Sequence, residues 1–184
     1  MTELSLNVLD VAQNSVKAKA SLIEIGVLID STSDRLTVTI KDNGCGMNEE
    51  TLKKVTDPFF TTRTTRKVGL GVSFFKLAAE ITGGSFDITS AVGTGTEVKA
   101  VFVLSSIDRM PLGDMPSTIE TLVVYNTDID FIYTYGVDEE NFVLSTAEMK
   151  EVLGGIPLNN PEVASYIRDF LRENTDAVNK GKIY

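Results

Sequence analysis

Over residues 2–19 the apolar positions Leu6, Leu9, Ala12 or Gln13 and Val16 recur every three to four residues, the period of an amphipathic helix. Asp10, Asn14 and Lys17 fall at i, i+4 and i+7 and form a polar stripe along that helix. The period then shortens. Residues 21–29 are rich in β-branched side chains, and 35–41 alternate strictly, Leu36, Val38 and Ile40 against Arg35, Thr37, Thr39 and Lys41. Both read as strands, joined by a hairpin loop at 30–34. A glycine turn, Asp42-Asn43-Gly44-Cys45-Gly46-Met47, follows, and Asn48 is placed to cap a short helix that Asp57-Pro58 ends. Residues 59–67 are polar and threonine-rich apart from two Phe and predict an exposed loop. A helix resumes over 70–82, stopped by Gly83-Gly84, and 85–91 with 96–104 form a hairpin.

Beyond residue 105 the pattern changes, and 106–115 read as a linker. Ser117-x-x-Glu120 is expected to open a helix as a capping box. Residues 129–137 and 141–145 predict a hairpin, and Ser145-x-x-Glu148 a helix closed by Gly154-Gly155. Asn160-Pro161 starts a last helix with Val163, Ile167, Phe170 and Leu171 on its apolar side.

The bulk properties narrow the function classes. The chain has 184 residues, 42% of them hydrophobic, which is enough for one domain of ordinary size with an extension or for two small ones. Its apolar runs are too short to span a bilayer, and the N-terminus lacks a basic stretch followed by an apolar one, so neither membrane insertion nor a signal peptide is expected. Cys45 is the single cysteine, which excludes an internal disulfide and predicts a reducing, cytoplasmic setting. A net charge of −9 argues against broad nucleic-acid binding, although Arg63, Arg66 and Lys67 form a local basic cluster. There is no histidine, so none can serve as metal ligand, general base or phosphoacceptor.

The candidate chemistry lies in three places. A carboxylate in a glycine turn, Asp42, can accept a hydrogen bond from the exocyclic amine of adenine, with Gly44 and Gly46 allowing close backbone approach; the competing reading is a tight Asx turn. Asn14 offers a neutral oxygen to Mg²⁺, and Asp10, one turn away, can orient or deprotonate a water attacking a terminal phosphate; the competing reading is a solvated helix face. Gly69-Leu70-Gly71 leads into a helix whose free N–H groups can meet phosphate oxygens, with Lys17, Arg63, Arg66 and Lys67 as counter-charges, although Arg66 taken by itself reads as solvated loop charge.

These motifs in this order resemble the GHKL ATPases, the ATP-binding domains of gyrase, heat-shock chaperones, histidine kinases and MutL-type mismatch-repair proteins. Asp10 to Lys17 resembles the N box and Asp42-x-Gly44-x-Gly46 the adenine-binding glycine box. Residues 57–63 resemble the phenylalanine box of histidine kinases, Gly69-Leu70-Gly71-Val72-Ser73 the second glycine box, and 83–96 the closing hairpin. The likeness covers about residues 4–104. It implies an α+β fold, a two-layer sandwich of mixed sheet with helices on one face, over a domain at 1–105; residues 116–184, which fit none of these relatives, read from their own pattern as a small αββαα appendage.

It also implies ATP and Mg²⁺ as cofactors, under a lid of roughly residues 60–68. Asp10 takes the catalytic role and Asn14 the metal. Nucleotide binding falls to Asn14, Lys17, Asp42, Gly44, Gly46, Met47, Phe60, Thr61, Thr62, Arg63, Lys67, Val68, Gly69, Leu70, Gly71, Val72 and Thr96, the last as polar partner of the adenine-binding carboxylate. Some positions depart from the pattern: Lys67 stands where a glycine is common, the lid is short, and Asp10 replaces the Glu of MutL and gyrase, while Lys17 matches histidine kinases. The resemblance points to a regulatory ATPase switch acting on a protein partner. The alternatives are a kinase acting in trans on a partner's Ser, Thr or His, and a nucleotide-sensing or interaction module without catalysis. The tail bears some likeness to those of stand-alone GHKL proteins found beside iron-hydrogenase genes, which implies a redox or regulatory partner. The tail itself reads either as cover for the core or as a docking module.

Overall fold

The computed structural model describes residues 3–55 and 71–184. The first part contributes α1 (Leu4–Lys17), β1 (Leu22–Asp30), β2 (Arg35–Asp42) and α2 (Glu49–Val55). There follow α3 (Gly71–Glu80), β3 (Ser85–Ala91) and β4 (Gly95–Val103). The remainder holds α4 (Met115–Tyr125), β5 (Asp130–Val137), β6 (Glu140–Ser145), α5 (Thr146–Leu153) and α6 (Pro161–Asn179). The strands form one sheet of six in the order β3-β4-β2-β1-β5-β6. Every neighbouring pair is antiparallel except β1 and β5, which makes the sheet mixed.

Strand alternation sets the layers. Ile23, Ile25, Val27 and Ile29 of β1 and Leu36, Val38 and Ile40 of β2 are buried, while Glu24, Leu28, Thr37, Thr39 and Lys41 between them are half-buried or exposed. One face of the sheet is thus covered by helices and the other faces solvent, the two-layer α+β arrangement expected from the resemblance.

The segment after residue 105 continues this sheet. β5 lies parallel to β1 with Ile23 opposite Phe131, Ile25 opposite Tyr133 and Val27 opposite Tyr135. All six side chains belong to a single cluster of buried residues that runs through both parts of the chain. The stretch expected as a linker is built into the fold as well: Leu112 and Met115 are buried, and the carbonyls of Pro111 and Leu112 accept from the N–H groups of Leu4 and Ser5. Those two carbonyls satisfy two of the four free donors at the start of α1, where Glu3 makes no side-chain cap.

Two local expectations are corrected. The buried stripe of α1 runs through Leu4, Val8, Val11, Ala12 and Ser15; Leu6 is exposed, and Leu9 and Val16 are partly buried. The helix is apolar around much of its circumference, so two stripes share the 3.6-residue period, and the sheet takes the one bearing Val8 and Val11. The second concerns α4, whose cap is Asp114 rather than Ser117. The Asp114 carboxylate accepts from the Ser117 N–H at 2.9 Å and from its hydroxyl at 2.7 Å, and Pro116 fits the first turn. Elsewhere the expected caps are present: Asn48 accepts from the Thr51 N–H, Asn160 from the Glu162 N–H, and Gly154 closes α5 in the left-handed region.

Candidate functional site

The turn after β2 is the centre of the site. Asp42 is the last residue of β2 and is 8% exposed. Its Oδ1 accepts from the Gly44 N–H at 2.9 Å, and its Oδ2 from the Ser15 hydroxyl of α1 at 2.6 Å. Each carboxylate oxygen can accept more than one hydrogen bond, so both keep capacity for a further donor. The Gly44 contact is an Asx turn, so the bland reading of this residue is present in the structure, but within a buried and doubly held carboxylate.

The glycines of the turn are required by the protein's own packing. A Cβ on Gly44 would lie 2.8 Å from the Ala18 Cβ and carbonyl oxygen at the end of α1. Gly46 has φ +63°, and its Cβ would fall 1.9 Å from the Ala91 carbonyl oxygen on β3. Gly95 presses the other way, its Cβ position 1.9 Å from the Asp42 carbonyl oxygen. The turn is therefore wedged between α1 and the β3–β4 hairpin. Further bonds fix it there: Cys45 N–H to Ala18 O at 3.0 Å, Gly93 N–H to Cys45 O at 2.8 Å, and Met47 N–H to Ser90 Oγ at 2.8 Å. Ser90 also lies 2.9 Å from Thr96 Oγ1, and Thr96 is the ladder partner of Asp42.

Above this floor lies a cavity of about 250 Å³. It is lined by Asn14, Lys17, Asp42, Gly46, Met47, Val72 and Thr96 among the residues expected at the site, and by Val11, Ile40, Ile88 and Val98 as apolar walls. Mostly apolar walls with a few converging polar groups are what a flat heteroaromatic ring needs. Gly44 is outside the lining and is held between Asp42 and Ala18. Asp10 is exposed and outside the lining, but it is brought against the start of α3: a Cβ on Gly71 would lie 2.9 Å from the Asp10 Cβ. The described start of α3 therefore lies next to Asp10. Phe60, Thr61, Thr62, Arg63, Lys67, Val68, Gly69 and Leu70, the basic residue Arg66, and the end of the short helix at Asp57-Pro58 lie outside the described residues.

Two polar residues of the site carry roles that the motifs do not assign. Ser15 donates to Asp42, and Ser90 joins Met47 to Thr96. Ser15 gave no signal of its own, because the stripe of α1 that carries it is chosen by the sheet. Ser90 gave none either, because its partners are 43 and 6 residues away. For a magnesium ion, Asn14 presents a neutral amide on the cavity wall, the donor type for a cation that keeps most of its water and takes its remaining ligands from phosphates. Among the described residues no group of three His, Cys, Asp or Glu side chains forms a competing metal centre, and no helix is long and apolar enough to cross a membrane.

The chain is similar to several known proteins. A putative sensor protein of Shewanella frigidimarina is 34% identical over 107 residues, 58% of this chain and 16% of that protein. The sensor histidine kinase YxdK of Bacillus subtilis is 31% identical over 100 residues, 50% of this chain and 30% of its own length. The chain thus matches less than a third of either protein. A crystal structure of the N-terminal domain of a DNA repair protein superposes over 79% of this chain and 53% of that one, with TM-score 0.55 and 16% identity, a likeness of fold alone. The family model of histidine kinase-, DNA gyrase B-, and HSP90-like ATPases matches residues 2–106, more than half of the chain, and the protein belongs to that family.

Proposed function

We propose that the chain binds ATP with Mg²⁺ in the cavity above Asp42 and works as a regulatory ATPase switch for a protein partner. The observation that carries this reading is the Asp42 carboxylate, buried at the cavity floor and held by Ser15 and Gly44. In it, Asp42 accepts from the adenine amine and Thr96 supplies the adjoining polar group. Val11, Ile40 and Val98 flank the ring. Asn14 holds the ion, Lys17 balances phosphate charge, and the first turn of α3 receives phosphate oxygens. Asp10, beside that turn, activates the attacking water. When bound, the magnesium ion would neutralise phosphate charge.

Calorimetric titration of ATP and ADP with Mg²⁺ tests the pocket. Asp42→Asn places an amide where a carboxylate accepts, and loss of a hydrogen bond to a charged group is worth about 1.5–3 kcal/mol, a weakening of about 10- to 100-fold. Equal affinity in wild type and Asp42→Asn would remove the adenine assignment. For hydrolysis, Asp10→Asn should leave ATP affinity near wild type while slowing single-turnover ADP production about 100-fold or more; unchanged production would exclude Asp10 as the base.

A second reading has its own support. Relatives matched by this chain include a sensor histidine kinase, and the chain has no histidine to phosphorylate. A kinase acting in trans would place labelled phosphate from ATP on a co-purified partner's Ser, Thr or His. Acid-stable and acid-labile label would separate hydroxyl from histidine acceptors, and label confined to inorganic phosphate would favour the switch.

A further inference from the structure

β6 closes one end of the sheet, paired with β5 on one side only among the described residues. Such an edge is ordinarily protected by proline, lysine or a bulge. This one reads Glu140-Asn141-Phe142-Val143-Leu144-Ser145, has none of these, and leaves Val143 50% exposed. A groove of about 440 Å³ opens beside it, walled by Leu144, Met149, Val152, Leu153, Tyr166 and Phe170. Val152 is 88% exposed and Tyr166 62%, and the Tyr166 and Phe170 rings lie one helical turn apart with centroids at 6.3 Å. Aromatic, methionine and aliphatic side chains gathered in this way have the composition of an interface centre.

The charge around the groove selects the occupant. Glu148 lines it, and Glu151 and Glu162 stand exposed on the same two helices without an ion pair among the described residues. The cations of those helices are engaged elsewhere: Lys150 with Asp130 at 2.7 Å, Arg168 with Glu120 at 2.6 Å, and Arg172 facing Asp114. Residues 116–184 hold twelve Asp and Glu against five Lys and Arg. A second copy of the chain, related by a twofold axis, would set these same acids against each other.

We propose that β6 and its groove receive an extended, basic segment of a partner protein. The segment adds a strand to the sheet through main-chain hydrogen bonds with β6. Its alternate apolar side chains fill the groove, and its Lys or Arg residues meet Glu148, Glu151 and Glu162. This surface is separate from the Asp42 cavity, and the proposal stands without any assumption about nucleotide.

The test uses the full chain without ATP and a labelled nine-residue peptide of alternating arginine and valine, followed by fluorescence anisotropy. Wild type should bind at micromolar concentrations, and hydrogen exchange should slow at the amides of 141–145. The double variant Val152→Glu, Tyr166→Glu alters two exposed side chains, so its melting temperature should stay near that of wild type. It should bind about tenfold more weakly although it carries two more negative charges, because each carboxylate would be desolvated in the groove. Attraction by charge alone predicts the reverse. Absence of binding to wild type, equal or tighter binding by the variant, or unaltered exchange in β6 would each overturn the proposal. So would sedimentation showing a wild-type dimer that the double variant dissolves, which would assign the groove to a second copy.

Discussion

Ser15 shows how much one hydroxyl contributes to the site. It is 3% exposed, sits on the buried stripe of α1, and supplies the donor to Asp42 Oδ2 from another element of the fold. Ser15→Ala leaves a buried carboxylate with one fewer partner, which costs about 1–3 kcal/mol. The expected result is a melting temperature lower by several degrees and ATP affinity reduced about tenfold, with far-ultraviolet circular dichroism unchanged; a variant that melts lower but binds ATP normally would reduce Ser15 to a packing role. At this scale the sequence is readable where chemistry is local. The residue types and spacing of Asp42, Asn14 and Lys17 point to their chemistry, and all three line the cavity. It is unreadable where a contact joins distant segments. Nothing in the turn itself announces that Gly46 must be bare because the Ala91 carbonyl oxygen occupies the space of its Cβ, or that Ser90 receives the Met47 N–H.

Among the elements, α4 gives the clearest measurable consequence. Ser117-x-x-Glu120 has the letters of a capping box, but the cap is Asp114, three residues before Ser117, which reaches both its N–H and its hydroxyl. Glu120 is instead tied to Arg168 of α6. Asp114→Ala should lower stability by about 1 kcal/mol, the usual worth of an N-cap, and lower the melting temperature by about 2–4 °C for a chain of this size. Burial pushes the Asp114 carboxyl up, but the Ser117 hydroxyl and N–H, with the Arg172 charge, outweigh it and hold the carboxyl below its ordinary value of 3.8. The unfolded chain therefore takes up this proton first as the solution is acidified. The contribution is complete above the ordinary carboxylate value and fades as pH falls through the lower folded-state value. Urea titrations across the acid range should show a shallower loss of stability in Asp114→Asn than in wild type; parallel curves would mean that other carboxylates govern the acid limb. Helix period had the same ambiguity in α1, where two apolar stripes fit and only the sheet decided between them.

At the scale of the whole molecule, periodicity and turns revealed every strand among the described residues and the three hairpins they form, but not how those hairpins lie side by side. The parallel pairing of β1 with β5 joins segments more than a hundred residues apart, and no local pattern encodes it. That pairing has a physical consequence for the ATPase-family segment at 2–106. A fragment ending at residue 105 would expose the β1 edge along eight paired positions. It would also uncover the side of Ile23, Ile25 and Val27 that meets Phe131, Tyr133 and Tyr135, and remove the Pro111 and Leu112 carbonyls that accept from the start of α1. An uncovered apolar strand edge is a template for aggregation. The 1–105 fragment is therefore expected to aggregate, or to bind a hydrophobic dye and lack a cooperative melt, whereas the full chain should unfold in one transition with coincident tyrosine fluorescence and circular dichroism. Tyr133 and Tyr135 report on the tail and the backbone signal on both parts, so separated midpoints in the full chain, or a well-folded fragment that binds ATP, would show residues 116–184 to be an independent module. Coincident midpoints would mean that occupancy of either surface, the Asp42 cavity or the β6 edge, acts on one cooperative sheet in which β2, β1, β5 and β6 are consecutive. Such a sheet gives nucleotide and partner a shared structure through which each can bias the other.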